Sequence, residues 1–520
     1  MQISILSANS MGMIQDAPNG VLPLEAWTTL RNVRVIDGKL ERMGGAETIG
    51  LTSADALQIF PFRPYNRPQA LFIAKAAAVY YTEGGPEDDV TGTSGPYTAT
   101  ANVWTYTVLN AIPVLNNGTD VPQAADALPV VALVDIPGWP AGWQAKSVRA
   151  YKNLLFALNI TDGGTAQPYR YAWSNLADPG TLPADWDIAD PASVAGADSL
   201  AETDGEIVDG ESLNSYFMIY KDYSAYRLTL GGNNIFNVQL AFPKGLLARN
   251  CVAMIPLKGG RHFCVGRDSI YLTDGLNYEE VLDKRLRRWF YDQLETSLHD
   301  LTYAVHDSEH REVRVYYVAS GSSSIDSVLI YNYVDNSVWL ADINAAIATC
   351  GEFNIAEEAT FTWADDVGVP WTADHRRWIE LPNNSLKARM VGINDANQLI
   401  FLEGGAPDAT ATIERVGLSV SGKDYRGQIT YDANAVKQLN VVWPKVSSPD
   451  GATTVQVTPG SQNVIDGTVT WGTAKTYDPI TKTYVNVHAK GRLLAIKFES
   501  VDDVQWALDG YDIDLVKVGK

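Results

Sequence analysis

The stretch SVRAYKNLLFALNI, residues Ser147–Ile160, decides the fold class, because it has the pattern of a strand, a Lys-Asn turn and a second strand. The starts of similar stretches are separated by roughly 45 to 70 residues, and blades of about 40 to 50 residues are typical of a β-propeller. We therefore predict a propeller whose repeat is degenerate. The further copies are Asn214–Leu230, Arg261–Thr273, and Arg311–Val318 followed by Ser327–Tyr333 and Trp339.

The segments on either side of these repeats also predict strands. Asn32–Gly45, NVRVIDGKLERMGG, alternates apolar and polar residues around Asp37-Gly38, which is a strong signal for a β-hairpin. After residue 351, short alternating stretches such as Leu439–Trp443 and Leu493–Phe498 suggest closing blades or a β-sandwich.

The predicted fold class is mainly β, with a propeller core, an inserted arm, a C-terminal sandwich-like region and few helices. The predicted divisions are an N-terminal extension and hairpin at 1–50, the propeller at 51–350, an insertion at about 83–145, and the C-terminal region at 351–520.

One segment predicts a helix that carries a basic cluster. Asn277–Leu294 has apolar residues at helical spacing and few helix-breaking residues. A subunit interface, a contact with DNA, and a solvated face paired with its own acidic residues are all compatible with this cluster. The candidate interface residues are Lys284, Arg285, Arg287, Arg288 and Trp289.

The overall charge argues against a protein that grips nucleic acid. The formal net charge is −21 and the pI is about 4.7, whereas phosphate binding needs clustered Lys and Arg. An acidic wall is compatible with DNA that slides past without binding, and equally with a surplus of acid that keeps a large protein soluble. Three cysteines without CxxC spacing predict neither a disulfide framework nor a zinc site, and suggest a reducing compartment. No stretch approaches the roughly 20 apolar residues of a membrane span.

No motif in the chain indicates catalysis or a cofactor. A phosphate-binding GxxxxGK[ST] loop, a GxSxG elbow and an HExxH motif are all missing from the sequence. His306 and His310 are four residues apart where we predict a turn from helix to strand, so we expect no metal site there. The acidic run that begins at Asp187 and Asp190 could hold Ca²⁺, but it lacks the required spacing and is better explained as a solvated loop. We expect no enzyme activity.

Three blocks of the sequence hold a distinctive set of strand and turn residues and no catalytic signature. The first block has Leu22-Pro23, Ala26-Trp27, Arg31–Arg34, Asp37-Gly38 and Gly44-Gly45. The second has Asp274-Gly275 with the segment to Leu294 and the strands that end at Trp339, and the third has Gly491–Phe498 with Trp506–Asp512. Together these blocks resemble the packaged-DNA stabilisation proteins of podoviruses and the related tail tube nozzle and hub proteins.

The resemblance implies a structural protein of a short bacteriophage tail. It implies a homohexameric ring below the portal and adaptor that retains packaged DNA and gives it an exit channel, and it implies no enzyme activity. The expected partners are further copies of the chain, the head-to-tail adaptor protein, a tail fibre, spike or needle protein, and passing genomic DNA. The expected location is the virion tail, after assembly in the bacterial host cytoplasm.

Two other functions remain open from the sequence. A receptor-binding or baseplate module would bind a cell surface. A glycan-cleaving tail enzyme would need an acidic pair with aromatic sugar platforms such as Trp139, Trp143 and Trp173.

Overall fold

Short antiparallel strands joined by tight turns dominate the chain, as its alternating patterns predict. The computed structural model describes residues 2–5, 11–36, 38–64, 69–98, 103–231, 235–351, 388–426, 428–448 and 453–519. These residues form seven four-stranded blades and a β-sandwich. The prediction of a mainly β protein with a propeller core is confirmed.

Five strands precede the first blade in the chain. The hairpin predicted around Asp37-Gly38 is present, with Val33 opposite Arg42 and Ile36 opposite Lys39, while Asp37 itself lies outside the described residues. The five strands are β1 (Gln2–Ile5), β2 (Thr29–Arg31), β3 (Val33–Ile36), β4 (Lys39–Arg42) and β5 (Gly45–Thr52).

Blades 1 to 4 follow in chain order, and each is an antiparallel meander. Blade 1 comprises β6 (Ala56–Phe62), β7 (Ala70–Lys75), β8 (Val79–Thr82) and β9 (Asp88–Asp89). Blade 2 comprises β10 (Thr105–Leu109), β11 (Ile112–Asn116), β12 (Gln123–Ala124) and β13 (Val134–Asp135). Blade 3 comprises β14 (Trp143–Tyr151), β15 (Leu154–Asp162), β16 (Thr165–Trp173) and β17 (Gly196–Ser199). Blade 4 comprises β18 (Ile207–Leu213), β19 (Tyr216–Lys221), β20 (Ala225–Leu230) and β21 (Phe236–Phe242).

Blades 5 to 7 complete the ring. Blade 5 comprises β22 (Val252–Ile255), β23 (Arg261–Val265), β24 (Ile270–Thr273) and β25 (Tyr278–Glu280). The helix α1 (Arg287–Gln293) follows it. Blade 6 comprises β26 (Tyr303–Asp307), β27 (Glu312–Tyr317), β28 (Ser327–Asn332) and β29 (Ser337–Asp342). Blade 7 takes β30 (Ile347–Gly351), β31 (Arg389–Ile393) and β32 (Gln398–Gly405) from this part of the chain.

The fourth strand of blade 7 comes from the N-terminus. Strand β5 pairs antiparallel with β32, with Thr52 opposite Gln398 and Gly45 opposite Gly405. Strand β30 packs beside β6 of blade 1, which closes the ring of blades. The first strands of all seven blades line a central channel whose cavity measures about 500 Å³.

The C-terminal strands form a sandwich with the N-terminal ones. They are β33 (Thr412–Leu418), β36 (Val436–Ser447), β37 (Val455–Gln462), β38 (Thr470–Trp471), β39 (Lys475–Tyr477), β40 (Val485–Gly491), β41 (Leu493–Ser500) and β42 (Ala507–Gly519). The strands β34 (Val420–Lys423) and β35 (Ile429–Tyr431) form a separate two-stranded sheet. One sheet has the order β3-β4-β42-β36-β40, with β1 also on β42. The other has the order β2-β33-β41-β37-β38, with β39 also on β37.

Strand β2 connects the sandwich to the propeller. Arg31 is paired parallel with Leu340 of β29 in blade 6, and Thr29 to Arg31 pair antiparallel with β33 of the sandwich. One ten-stranded sheet therefore runs from blade 6 into the sandwich. Buried residues of both parts, including Phe263, Trp339, Val35 and Trp506, belong to one hydrophobic cluster.

Three predictions about segments need correction. The insertion predicted at about 83–145 instead contains the last strand of blade 1 and all of blade 2, whose outer strands have only two residues each and give no periodic signal. The helix predicted for Asn277–Leu294 is limited to Arg287–Gln293, because Tyr278–Glu280 pairs with β24 as the outer strand of blade 5. The predicted boundary at residue 350 falls inside blade 7, and residues 352–387 lie outside the described residues. Among the described residues, no helix is long and apolar enough to cross a membrane.

The close approach of β5 to blade 7 gives a testable prediction. A Cβ atom on Gly45 would overlap the backbone carbonyl of Ala406 and approach Asp408, so Gly45→Ala should destabilise ring closure by about 1–3 kcal/mol, the usual cost of overpacking. Limited proteolysis should then cleave the N-terminal segment faster. The matched control is Gly85→Ala, because a Cβ at Gly85 meets nothing within 4 Å. Equal cleavage of the two variants would contradict the importance of this contact.

Candidate functional site

The basic cluster lies at the start of helix α1, which the N-terminal segment caps. Leu286 and Phe290 are buried and fix the helix against the core. The carboxylate of Asp16 accepts hydrogen bonds from the backbone N–H groups of Arg288, at 2.8 Å, and Trp289, at 2.9 Å. Carboxylates are favourable at helix N-termini, where the backbone N–H groups have no partner within the helix. A residue 272 positions away in sequence from Arg288 therefore caps this helix.

Two of the four basic side chains form hydrogen bonds with backbone carbonyls, and the other two project into solvent. Arg285 donates to the backbone carbonyl of Asn336, and Arg287 donates to the carbonyl of Asp268 at 2.6 Å. Lys284 is exposed, and Arg288 is 87% exposed with only a 3.7 Å pairing to Asp292 one turn along the helix. Trp289 is partly buried and packs against the main core. The structure thus leaves Lys284 and Arg288 as the part of the cluster available to a partner.

A second charged cluster, buried and not predicted from the sequence, lies where the N-terminal hairpin meets blades 6 and 7. Arg34 of β3 forms a two-pronged ion pair with Glu312 of β27 and donates to Glu403 of β32 at 2.8 Å. Arg314 contacts the same Glu403 and donates to Asp307 at 2.9 Å. We call these residues, together with His310, the junction cluster.

Charge in the junction cluster is balanced by mutual pairing. Burial opposes ionisation of Glu403, but Arg34 and Arg314 outweigh it and lower the pKa of Glu403 to about 2. Burial also opposes charge on His310, yet its 2.9 Å hydrogen bond with Asp307 raises the pKa of the imidazole. The carboxyl groups of Asp307, Glu312 and Glu403 thus face the guanidinium groups of Arg34 and Arg314 and the imidazole of His310. Paired buried charges of this kind are costly to break, because removing one partner leaves another uncompensated.

The junction cluster contains metal-ligand types but is arranged as an ion-pair network. Ligand atoms of Asp307, His310, Glu312 and Glu403 lie within 4.8 Å of one another. Arg34 and Arg314 contact the same carboxylate groups, which leaves positive charge where a cation would bind. The structure does not bring the two histidines of the sequence prediction together. His306 faces Tyr333 at 3.1 Å, whereas His310 faces Asp307.

The tryptophans considered as sugar platforms are packed side chains. The rings of Trp139 and Trp186 lie 4.9 Å apart edge to face, and Trp143 is buried beside them. Trp173 donates its indole N–H to the carbonyl of Val194 at 2.8 Å. The acidic loop is ordered locally, with Asp187 and Asp190 accepting backbone N–H groups two residues further on.

The three sequence blocks on which the prediction of a tail protein rests meet in one region of the fold. Trp27 packs against Phe498 and Tyr511, at ring separations of 6.4 and 5.7 Å. Strand β4 of the first block pairs with β42 of the third through Leu40 and Leu508. Asp16, a short distance before the first block, caps the helix of the second block. Buried Arg415 holds the first block from the sandwich side by donating to the carbonyl of Leu22 at 2.9 Å.

The junction cluster has a weak signal in the sequence. Arg34 lies in VRV of β3, and Arg314 lies in VRV of β27, whose six residues are all buried. A charged residue within an apolar strand that is covered on both faces must be paired. The pattern indicates that such a pair exists, but it cannot name Glu403, which is more than 80 residues further along the chain.

Arg34 offers a direct test of the junction cluster. Arg34→Ala leaves the buried carboxylates of Glu312 and Glu403 short of a partner, so it should cost about 3–5 kcal/mol. The matched control is Arg31→Ala, because the pair of Arg31 with Asp342 is about half exposed and should contribute about 1 kcal/mol or less. Urea unfolding at neutral pH measures both variants. Similar losses in the two variants would show that the cluster does not hold the junction.

Comparisons with known proteins find other β-propellers and assign no family. No protein-family model matches this sequence, and no curated protein is similar to it. The WD40 β-propeller domain of Doa1 is 8% identical, with a TM-score of 0.35 over 69% of this chain and 96% of that domain. YCF48 bound to D1 peptide is 11% identical, with a TM-score of 0.34 over 59% of this chain and 86% of that one. At these values neither likeness supports a further argument, and the propeller is assigned from its own seven blades.

Proposed function

We propose that this chain is a structural subunit of a short bacteriophage tail, a nozzle or hub protein that forms a homohexameric ring below the portal and adaptor. The observation that carries the proposal is that the three resembling blocks are neighbours in the fold. Trp27 packs against Tyr511, Leu40 pairs with Leu508, and Arg34 of the first block forms an ion pair with Glu312 of the second. Residues that are far apart in sequence but adjacent in space are what a shared architecture requires, whereas chance resemblance in short strands would be scattered.

The route of DNA in such a ring lies outside each propeller. The inner strands have about five residues, which gives a channel roughly 16 Å long. A cylindrical cavity of about 500 Å³ with that length is roughly 6 Å in diameter. Duplex DNA is wider than its own major groove of about 12 Å. In the proposed ring, the duplex therefore passes along a channel between subunits. The acidic surface of the chain favours passage without binding.

Two surfaces suit contacts between subunits. The first is the pair Lys284 and Arg288, which an acidic neighbouring chain would complement. The second is β21, the outer strand of blade 4, which has seven residues without charge or proline and is the last strand of its sheet. Leu230 and Leu240 beside this edge are 52% and 54% exposed. Long uncharged edges are sites where another chain can pair.

The location of the protein in virions tests the proposed function directly. Immunogold labelling of intact particles with antibody to this chain should place gold at the distal end of the tail. Label confined to the capsid, or particles free of label, would overturn the tail assignment. In the second case, release of reducing ends from host polysaccharide would test the glycan-cleaving alternative.

The interface surfaces can be tested by complementation. A phage lacking its own copy should give at least tenfold fewer infectious particles when supplied with Lys284→Glu/Arg288→Glu, since charge reversal that removes about 1.4 kcal/mol of binding gives a tenfold loss. Leu240→Lys, which adds a charge to the β21 edge, should act in the same direction.

The matched control for charge reversal is Lys490→Glu/Arg492→Glu on the sandwich, where both side chains are exposed. This control should support a normal titre. All variants should keep the thermal midpoint of the original chain, since the altered side chains are on the surface. A full titre from both interface variants would rule out these two surfaces as subunit contacts.

A further inference from the structure

The central channel contains one well-satisfied ion pair. Arg149 of β14 donates through Nε to Asp209 of β18 at 2.8 Å, and through Nη1 to the carbonyl of Tyr106 at 2.8 Å. Asp209 also accepts the backbone N–H of Asn250 at 2.9 Å. Both charges are buried, and each is neutralised by the other. This pair therefore contributes no net charge to the channel.

A second carboxylate in the channel wall has no cation of its own. Glu211 lies two residues after Asp209 on β18 and lines the same cavity. Its one hydrogen bond within the described residues accepts the backbone N–H of Ser212 at 2.9 Å, and no ion pair of these residues includes it. Burial raises the pKa of Glu211, and Arg149, the neighbouring cation, is already paired with Asp209. Glu211 is partly buried in the channel wall, and a partly buried carboxylate without a counterion is stabilised when a cation pairs with it.

The remaining walls of the channel are mostly apolar and aromatic, and the polar residues Gln58, Asn250, His306 and Thr349 also line it. The rings of Phe60 and Tyr106 stack with centroids 5.0 Å apart, and both residues are partly exposed. Met254 is 41% exposed although it lies on an innermost strand, and Tyr303 lines the same space. Burial lowers the pKa of His306, which disfavours a positive charge on this channel residue. The cavity thus combines one carboxyl group that has no counterion of its own with surfaces that favour hydrocarbon and aromatic groups.

We propose that the propeller channel is a binding site for a small organic cation, a primary ammonium group on an apolar or aromatic stem, with Glu211 as its counterion. The cavity of about 500 Å³ lies within the range of small-molecule pockets, about 300–1,000 Å³. Aromatic faces add attraction for an ammonium group. This site is independent of the proposed tail function, because it lies within one protomer.

The lining residues select this ligand class over the alternatives. Mg²⁺ and Ca²⁺ need several oxygen ligands, and Glu211 belongs to no group of three metal-ligand side chains among the described residues. An anion would meet Glu211 without a free cation beside it. A neutral apolar molecule would fill the cavity but leave the carboxylate unpaired.

Calorimetric titration of the full chain with phenethylammonium tests the proposal. We expect saturable one-to-one binding, with affinity at least tenfold weaker for phenethyl alcohol, which has the same stem without the charge. Glu211→Gln should weaken phenethylammonium binding by at least tenfold and leave binding of the alcohol unchanged. The matched control Glu279→Gln alters an exposed carboxylate on blade 5 and should bind as the original chain does.

A second variant protects the test against a folding defect in Glu211→Gln. Met254→Trp adds bulk to the channel and leaves Glu211 in the sequence, and it should abolish binding of both ligands. Thermal melting should show that each variant remains folded. The proposal is overturned if the original chain shows no saturable binding, if a folded Glu211→Gln binds as tightly as the original, or if Met254→Trp leaves binding intact.

Discussion

The antiparallel pairing of β5 with β32 joins residues near position 50 to residues near position 400, and most of the architecture is arranged around this join. A ring of blades has a first and a last member, and these must be held together against the entropy of an open chain. Here the last blade lacks a fourth strand until the N-terminal segment supplies it. The same segment then continues backwards into β4, β3 and β2, and so brings the sandwich against the outer edge of blade 6.

Electrostatics makes this join specific as well as stable. Hydrophobic packing between the sandwich and the propeller could be satisfied in several registers, because apolar contacts have little direction. The ion pairs of the junction cluster can form in only one register, because Arg34 must reach Glu312 and Glu403 while Arg314 reaches Asp307. A shift of one residue along β3 would turn Arg34 to the opposite face and leave the carboxylates uncompensated. Buried charge thus fixes the relative position of parts that the hydrophobic core only holds together.

Local sequence patterns predicted most of the strand pairs but not the pairing of β5 with β32 that closes the ring of blades. The hairpin at Asn32–Gly45 and the strand pairs at Ser147–Ile160 and Arg261–Thr273 follow from alternation around a turn, which neighbouring residues determine. The outer strands of blade 2 were not predicted because each has only two residues, too few to show an alternating pattern. The start of the helix near residue 277 was wrong because pairing of β25 with β24 overrides local helical preference.

The sequence could not predict which charged residues are free to bind a partner, because their hydrogen-bond partners lie far away in the chain. Lys284, Arg285, Arg287 and Arg288 form a visible cluster, yet only the folded chain shows that Asn336 and Asp268 occupy two of them. Glu211 is one of 61 acidic residues, and nothing in its neighbours marks it as facing a channel. Its position depends on seven strands that come together only when the ring is complete.

The N-terminal location of β5 also sets the order in which the molecule can be made. Ribosomes add about 5–20 residues per second, so the first 52 residues wait on the order of tens of seconds for β32 to emerge. The sandwich waits longer, because β42 ends at Gly519. Blades 1 to 6 can form as they appear, while the segment that will close the ring remains unpaired beside them. A nascent chain of this protein therefore presents an open strand through most of its synthesis, and a truncated product lacks both the closed ring and the sandwich.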